Sequence, residues 1–273
     1  MSDEGRPSGS LRGYLHAALR DEWDGLERIN RDLRLADLFT ILNAVMGLTA
    51  LMVAAHAAGA DEATRWHSIR IAIELVMVGV IMDGVDGAVA RLGKGNGPLG
   101  AVLDTLADAL TFVTTSAVLA FLSFDLSRWS PSLVAAIVVP IGFYAVCGLL
   151  RLARFESLRD DGKTRHYFSG MPTPAAAVTL LSLVQLHVAP WVIVVAAFYL
   201  GILMVTRVRF PKLRGWLAVA TVAILLAILV SFENATLQTS LTWGLLGFMA
   251  LYVVAGPFYV LAREGARFEA AAP

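Results

Sequence analysis

The sequence predicts an all-α integral membrane protein with about eight transmembrane helices. Three observations carry that prediction. The 273-residue chain is 57% hydrophobic, with a mean hydropathy of +0.67, too apolar for an ordinary soluble domain. Several apolar runs approach the ~20 residues that a helix needs to cross a bilayer. The basic residues gather in alternate connections between those runs. Formal net charge is zero, which suggests no nucleic-acid partner. The single cysteine, Cys147, lies inside an apolar run and reads as a packing residue, with no disulfide framework.

Residues 1 to about 10 are rich in Gly, Ser and Pro, a composition that predicts disorder. From Leu11 to Leu35 the chain is charged and helix-prone, with Leu15, Leu19, Trp23, Leu26 and Ile29 at helical spacing. This predicts an amphipathic helix along the membrane surface, a partner-binding helix being the alternative. Met1 to Asp37 is polar and mixed in charge, unlike a cleavable signal peptide. Apolar spans follow at Leu38–Ala58, Ile69–Arg91, Leu99–Phe124, Pro131–Phe155, Pro172–His187, Trp191–Val205, Trp216–Phe232 and Leu241–Leu261. The fifth and sixth are short, and Val188-Ala189-Pro190 separates them. Trp191 and Trp216 fit interfacial anchors.

With eight spans both termini share a side. The N-terminal segment, the Gly93–Pro98, Glu156–Gly170 and Arg207–Arg214 connections and the C-terminus hold nearly all the basic residues. The opposite loops hold little beyond Arg65, Arg70 and Arg128. The positive-inside rule therefore places both termini on the cytoplasmic side of the cell membrane. A count of seven or nine spans would destroy this asymmetry.

Against that apolar background, Met82 to Asp108 stands out. Asp83 and Asp86 are three residues apart, Asp104 and Asp108 four apart, so each pair shares a helix face. Gly93-Lys94-Gly95-Asn96-Gly97-Pro98 is a turn between them, making the two helices antiparallel neighbours whose acidic faces can converge. Acidic residues in a membrane segment are costly and usually functional. Four clustered carboxylates repel unless cations intervene, and two divalent ions carry the matching charge. All-oxygen ligation suits Mg²⁺ or Mn²⁺ rather than Zn²⁺. The plainer reading is a solvated, capping cluster at helix ends. A cation channel or transporter is a further alternative; against it, the acidic residues lie at one membrane face, with no matching carboxylates in the other spans.

The spacing Asp83-x2-Asp86-Gly87-x2-Ala90-Arg91-x8-Gly100-x3-Asp104-x3-Asp108 resembles the signature of the CDP-alcohol phosphotransferase family, with every defining position filled. The resemblance covers roughly Ala36 to Arg214. It implies membrane enzymes, commonly homodimeric, that displace CMP from a CDP-linked substrate with an alcohol. It implies a six-helix core and two divalent cations, Mg²⁺ or Mn²⁺, held by Asp83, Asp86, Asp104 and Asp108, with Asp108 as the base. The chain divides accordingly into a disordered start and surface helix (1–35), a catalytic membrane domain (36–214), and two additional helices with a short tail (215–273). Around a bound CDP, Gly87 and Gly100 would allow close backbone approach, beside Ala90 of the motif. Arg91 would offer a donor fork to phosphate, or else snorkel to the interface.

Four further segments resemble the phosphatidylserine synthase branch of that family, including its archaetidylserine-making members. They are Asp37-Leu38-Phe39-Thr40-Ile41-Leu42-Asn43, Arg151-Leu152-Ala153-Arg154-Phe155, Phe168 to Ala177, and Leu203 to Phe210. Met171 and Thr173 stand where that branch more often has Leu and Ser. The resemblance implies CDP-diacylglycerol or CDP-archaeol as donor and L-serine as acceptor. Arg151 and Arg154 are the candidates for the serine carboxylate, or else positive-inside anchors. Thr40 and Asn43 either serve the nucleotide pocket or hydrogen-bond between helices. Gly170, Pro172 and Pro174 shape the start of a helix, and His166 reads as a surface residue. Glycerol 3-phosphate or inositol phosphate would be alternative acceptors, but their phosphates demand a richer basic pocket.

Overall fold

The computed structural model of the chain describes residues 35–57, 59–92, 98–125, 130–157, 167–211 and 216–270. The amphipathic helix expected before Leu35 and the Gly93–Gly97 turn lie outside them. Eight helices are found among the described residues. α1 is Leu35–Ala57 and α2 is Glu62–Leu92. α3 is one rod made of Pro98–Asp108, a π-helical segment Ala109–Thr115, and Ser116–Leu122. α4 is Pro131–Ser157, α5 Thr173–Gln185, α6 Pro190–Val205, α7 Trp216–Val230 and α8 Ala235–Ala270.

This is the architecture of an all-α membrane protein, because a helix closes its backbone hydrogen bonds internally and needs no water. Ala36–His56, Leu99–Leu122, Pro131–Ser157 and Ala235–Val260 are long and apolar enough to cross a bilayer. Thr173–Gln185, Pro190–Val205 and Leu217–Val230 are apolar but shorter. α5 and α6 are separate helices, as the Val188–Pro190 break predicts. α2 begins at Glu62, well before the expected Ile69, so Arg65 and Arg70 sit on a helix rather than in a loop. Asp61 starts it: its carboxylate accepts from the Thr64 amide at 3.2 Å and hydroxyl at 2.6 Å, satisfying donors that a first turn leaves open.

A two-stranded antiparallel sheet departs from the purely helical expectation. β1 (Tyr167–Ser169) pairs with β2 (Arg209–Pro211), with Phe168 opposite Phe210. Strands of three residues are too short for alternation to reveal in sequence. Gly170, with φ +81°, turns the chain from β1 towards α5. A Cβ there would run into the Met204 carbonyl oxygen, so only glycine fits.

α1 shows how the bundle is assembled. Its inward face carries Ala36, Asp37, Thr40, Asn43, Ala50 and Ala54, while Leu38, Ile41, Leu42, Val45, Leu48 and Met52 face outward. Small and polar residues inside, large apolar ones outside, is the pattern of a helix packed in lipid. α1 packs most extensively on α2, and α4 on α6. The approach of α1, α2 and α3 is very close. A Cβ on Gly47 would lie 2.9 Å from the Thr111 Cα, and one on Gly79 would lie 2.7 Å from Asn43 Oδ1. The π segment of α3 is secured there by hydroxyls. Thr114 and Thr115 donate to the carbonyls five residues back, Ala109 and Leu110, at 2.9 and 2.8 Å. Tyr144 of α4 donates to the Phe112 carbonyl at 3.1 Å. Wide turns of this kind occur often beside functional sites, and this one begins directly after Asp108.

Candidate active site

α2 supplies Asp83 and Asp86, and α3 supplies Asp104 and Asp108 in the α-helical turns just before its π segment. Ligand oxygens of Asp83, Asp104 and Asp108 lie within 4.8 Å of one another. Asp86 stands outside that set. It is buried and accepts a hydrogen bond from the Thr40 hydroxyl of α1, yet remains within electrostatic reach of Asp83 and Asp108. The structure thus gathers three of the four aspartates tightly and keeps the fourth beside them.

Like charges this close are unfavourable unless something positive joins them. Oδ1 of Asp108 is buried and has no hydrogen-bond partner, which in a packed interior calls for a ligand. The donors are all carboxylate oxygens, the set that suits a hard divalent cation. These residues therefore fit a metal ion, and Asp83, Asp104 and Asp108 could hold one.

The three carboxylates line a cavity of about 330 Å³. Arg151 of α4, Phe168 of β1 and Thr173 of α5 also line it. Arg151 is 8% exposed, donates from Nη1 to Thr173 Oγ1 at 3.3 Å, and lies 5.8 Å from the centre of the Phe168 ring. Its Nε is buried without a partner. The remaining wall is mostly apolar: Leu152 and Phe155 of α4 and Ala175 and Val178 of α5 contribute to it, and the last two helices add Val222 and Leu225 of α7 and Met249 of α8, beside Thr221 and Tyr252. A lining that combines carboxylates and a guanidinium with a large apolar share suits a ligand that is itself amphipathic.

Arg154, the second candidate for a carboxylate, does not line this cavity. It donates from Nη2 to Ser169 Oγ at 3.2 Å and reaches the Val205 carbonyl with Nη1, so it ties α4 to β1 and to the end of α6. Thr40 and Asn43 are buried but also lie off the cavity. Thr40 bonds Asp86, and the Asn43 backbone carbonyl accepts from Thr111 at 3.0 Å, so both join helices. Gly100 is buried in the first turn of α3, and Gly87 is half-buried one residue beyond Asp86. Ala90 and Arg91 continue the backbone of α2, with side chains outside the described set. Thr105 and Tyr252 line the cavity without having been anticipated. Thr105 was legible in principle, lying between Asp104 and Asp108. Nothing local marks Tyr252, whose hydroxyl donates to the Pro211 carbonyl of β2 at 3.0 Å while its ring stacks near Phe210 at 5.6 Å.

A helical membrane bundle with this site has a known counterpart. The family model described as CDP-alcohol phosphatidyltransferase matches residues 33–207, more than half of the chain, and the chain belongs to that family. Within it, the chain is 36% identical over 156 residues to the CDP-diacylglycerol–serine O-phosphatidyltransferase of Mycobacterium bovis, covering 56% of this chain and 49% of that one. It is 27% identical over 220 residues to the protein of the same name from Methanocaldococcus jannaschii, covering 80% and 94%. It is 29% identical over 197 residues to the archaetidylserine synthase of Methanothermobacter thermautotrophicus, covering 69% and 74%. The chain spans about half the length of the mycobacterial relatives it matches. α7 and α8 begin beyond the residues that the family model covers.

Proposed function

We propose that the chain transfers a phosphatidyl-type group from CDP-diacylglycerol, or CDP-archaeol, to the hydroxyl of L-serine, releasing CMP. The observation that carries this reading is the cavity in which three carboxylates face a buried guanidinium beside an apolar wall. The names of the relatives support serine as the acceptor. Among the described residues Arg151 is the only basic side chain on the cavity wall. One guanidinium can pair the single acceptor carboxylate of serine, whereas a phosphate-bearing acceptor would bring added negative charge beside the donor's diphosphate.

In this mechanism the serine oxygen attacks the phosphorus nearest the lipid. A P–O bond to serine forms as the P–O bond to CMP breaks, and CMP leaves with the electron pair. Asp108 takes the hydroxyl proton; its Oδ1 has no competing hydrogen bond. Divalent ions, when bound, shield the diphosphate and stabilise the charge passing to CMP. Asp83, Asp86, Asp104 and Asp108 would hold two of them, Mg²⁺ or Mn²⁺, with Thr40 fixing the Asp86 carboxylate. Arg151 would take the serine carboxylate, and Arg154 would steady the hairpin beside it. Gly87, Ala90, Arg91 and Gly100 would flank the nucleotide, while Thr40 and Asn43 hold α1 against them. Residues 36–214 would form the catalytic domain of an eight-span homodimer, with both termini and the site facing the cytoplasm.

The test is CMP release from CDP-diacylglycerol by the purified full-length chain in detergent. Serine, inositol phosphate and glycerol 3-phosphate are offered separately, each with and without Mg²⁺ or Mn²⁺. Metal-dependent release with serine alone is the expected result. Release with a phosphate-bearing acceptor instead would replace serine in this reading, and cation flux without CMP release would replace the reaction itself.

A further inference from the structure

At the end of the bundle away from the aspartates lies a second cavity of about 340 Å³, and the proposed reaction makes no use of it. From Asp83 to Arg70, α2 runs roughly 20 Å, which puts the two sites at opposite ends. Trp66, His67, Arg70, Gln185, His187 and Gln238 supply its polar and aromatic lining. They come from the start of α2, the end of α5, the connection to α6 and the start of α8.

Several of these groups are unfinished. Both amide atoms of Gln185 and Nε of Arg70 are buried with no hydrogen-bond partner. A buried polar atom left unmet is costly, so such a set calls for an occupant with acceptors for Arg70 and a complement for the Gln185 amide. The guanidinium of Arg70 is stacked 4.1 Å from the centre of the Phe232 ring, which holds its plane and leaves the edge to bond. Glu74, one turn further along α2, lies within electrostatic reach of Arg70 but does not line the cavity, and Gln238 donates to its Oε1 at 2.7 Å. The Trp66 and His187 rings pack at 4.1 Å, and His187 takes φ +51°, an unusual backbone for a residue with a Cβ. Arg70 was one of the few basic residues that broke the charge asymmetry of the connections. Glu74 is one charge partner for it, and an anion in the cavity would meet the Nε that remains unpaired.

We propose that this cavity binds a phosphate-bearing anion, gripped by Arg70 and Gln185 beside the Trp66 ring. Its place at the end of a membrane bundle makes a phospholipid head group one source and a free phosphate the other. The site is independent of the serine-transfer reading.

The experiment uses the full-length chain in detergent with two probes, dioctanoyl phosphatidylglycerol and inorganic phosphate, and dioctanoylglycerol as the control without phosphate. Binding is followed by titration and by the rise in melting temperature. Wild type should bind the phospholipid and not dioctanoylglycerol. Competition by inorganic phosphate identifies a free-anion site, and its absence identifies a head-group site. Arg70→Gln should weaken binding roughly tenfold or more, the loss expected for a charge-assisted hydrogen bond. CMP release by Arg70→Gln should stay within about twofold of wild type, since the two sites are far apart. Gln185→Leu removes the unmet amide, so it should melt higher than wild type without a probe and lose most of the probe-induced rise. Equal binding by wild type and both variants, or no binding of either probe by wild type, would overturn the proposal.

Discussion

The two ends of the bundle hold cavities of nearly equal size, about 330 and 340 Å³, but they are built by different means. At the acidic end the charged groups sit within helices: Asp83 in α2, Asp104 and Asp108 in α3, Arg151 in α4. Those helices are held by contacts that leave no slack, with Gly47 and Gly79 against Thr111 and Asn43. At the other end much of the lining comes from the ends of elements and a connection, with His187 and Gln185 at the foot of α5. Chemistry on a phosphate demands fixed distances between charges, and helix interiors supply them. Binding without chemistry tolerates softer construction. The difference in scaffold therefore matches the difference between the two tasks proposed for them.

Substitutions can break or sharpen that contrast. The largest effect is expected from Asp104→Asn, which removes one charge from the tight trio. CMP release should fall by roughly a hundredfold or more, while the melting temperature in detergent holds or rises because a repulsion is relieved. Next comes Gly47→Ala, whose Cβ would press on the Thr111 backbone. A cost of about 1–3 kcal/mol is expected, read as a lower melting temperature. Arg151→Lys keeps the charge but loses the planar fork, so the KM for serine should rise roughly tenfold with a smaller change in kcat. A fall in kcat without any rise in KM would argue against Arg151 as the partner of the serine carboxylate. Tyr252→Phe removes one hydrogen bond to Pro211, worth about 1 kcal/mol. It tests whether α8 steadies the hairpin.

The smallest effect belongs to the far end. The Thr64 hydroxyl and amide hold the Asp61 carboxyl below its ordinary range. Its stabilising share is therefore present above that range and is lost as pH falls through the lowered value. Amide protection factors at the start of α2, which divide out the intrinsic pH dependence of exchange, should fall on acidification, and Thr64→Val should flatten that response.

The acidic cluster was legible because its geometry is local. Two pairs at helical spacing, joined by a short turn, must present their carboxylates to each other, and Asp83, Asp104 and Asp108 do so. The inward placement of Thr40 and Asn43 followed from their position among lipid-facing apolar residues. Other features depend on partners distant in the chain. Arg151 and Arg154 looked equivalent, three residues apart; only the packing of β1 and α5 turns one into the cavity and the other onto Ser169. The π segment rests on hydroxyl bonds and on Tyr144, none of which excludes an ordinary α-helix from sequence alone. The contribution of α7 and α8 to the cavity was hidden for the same reason, since apolar periodicity does not say which neighbour a helix faces.

Counting Mn²⁺ ions bound to the purified chain, by electron paramagnetic resonance titration, tests the central claim most directly. Two per wild-type chain are expected, with at least one lost in Asp83→Asn and in Asp108→Asn. A folded wild-type chain that binds none at millimolar Mn²⁺, or variants that bind as many as wild type, would contradict the account.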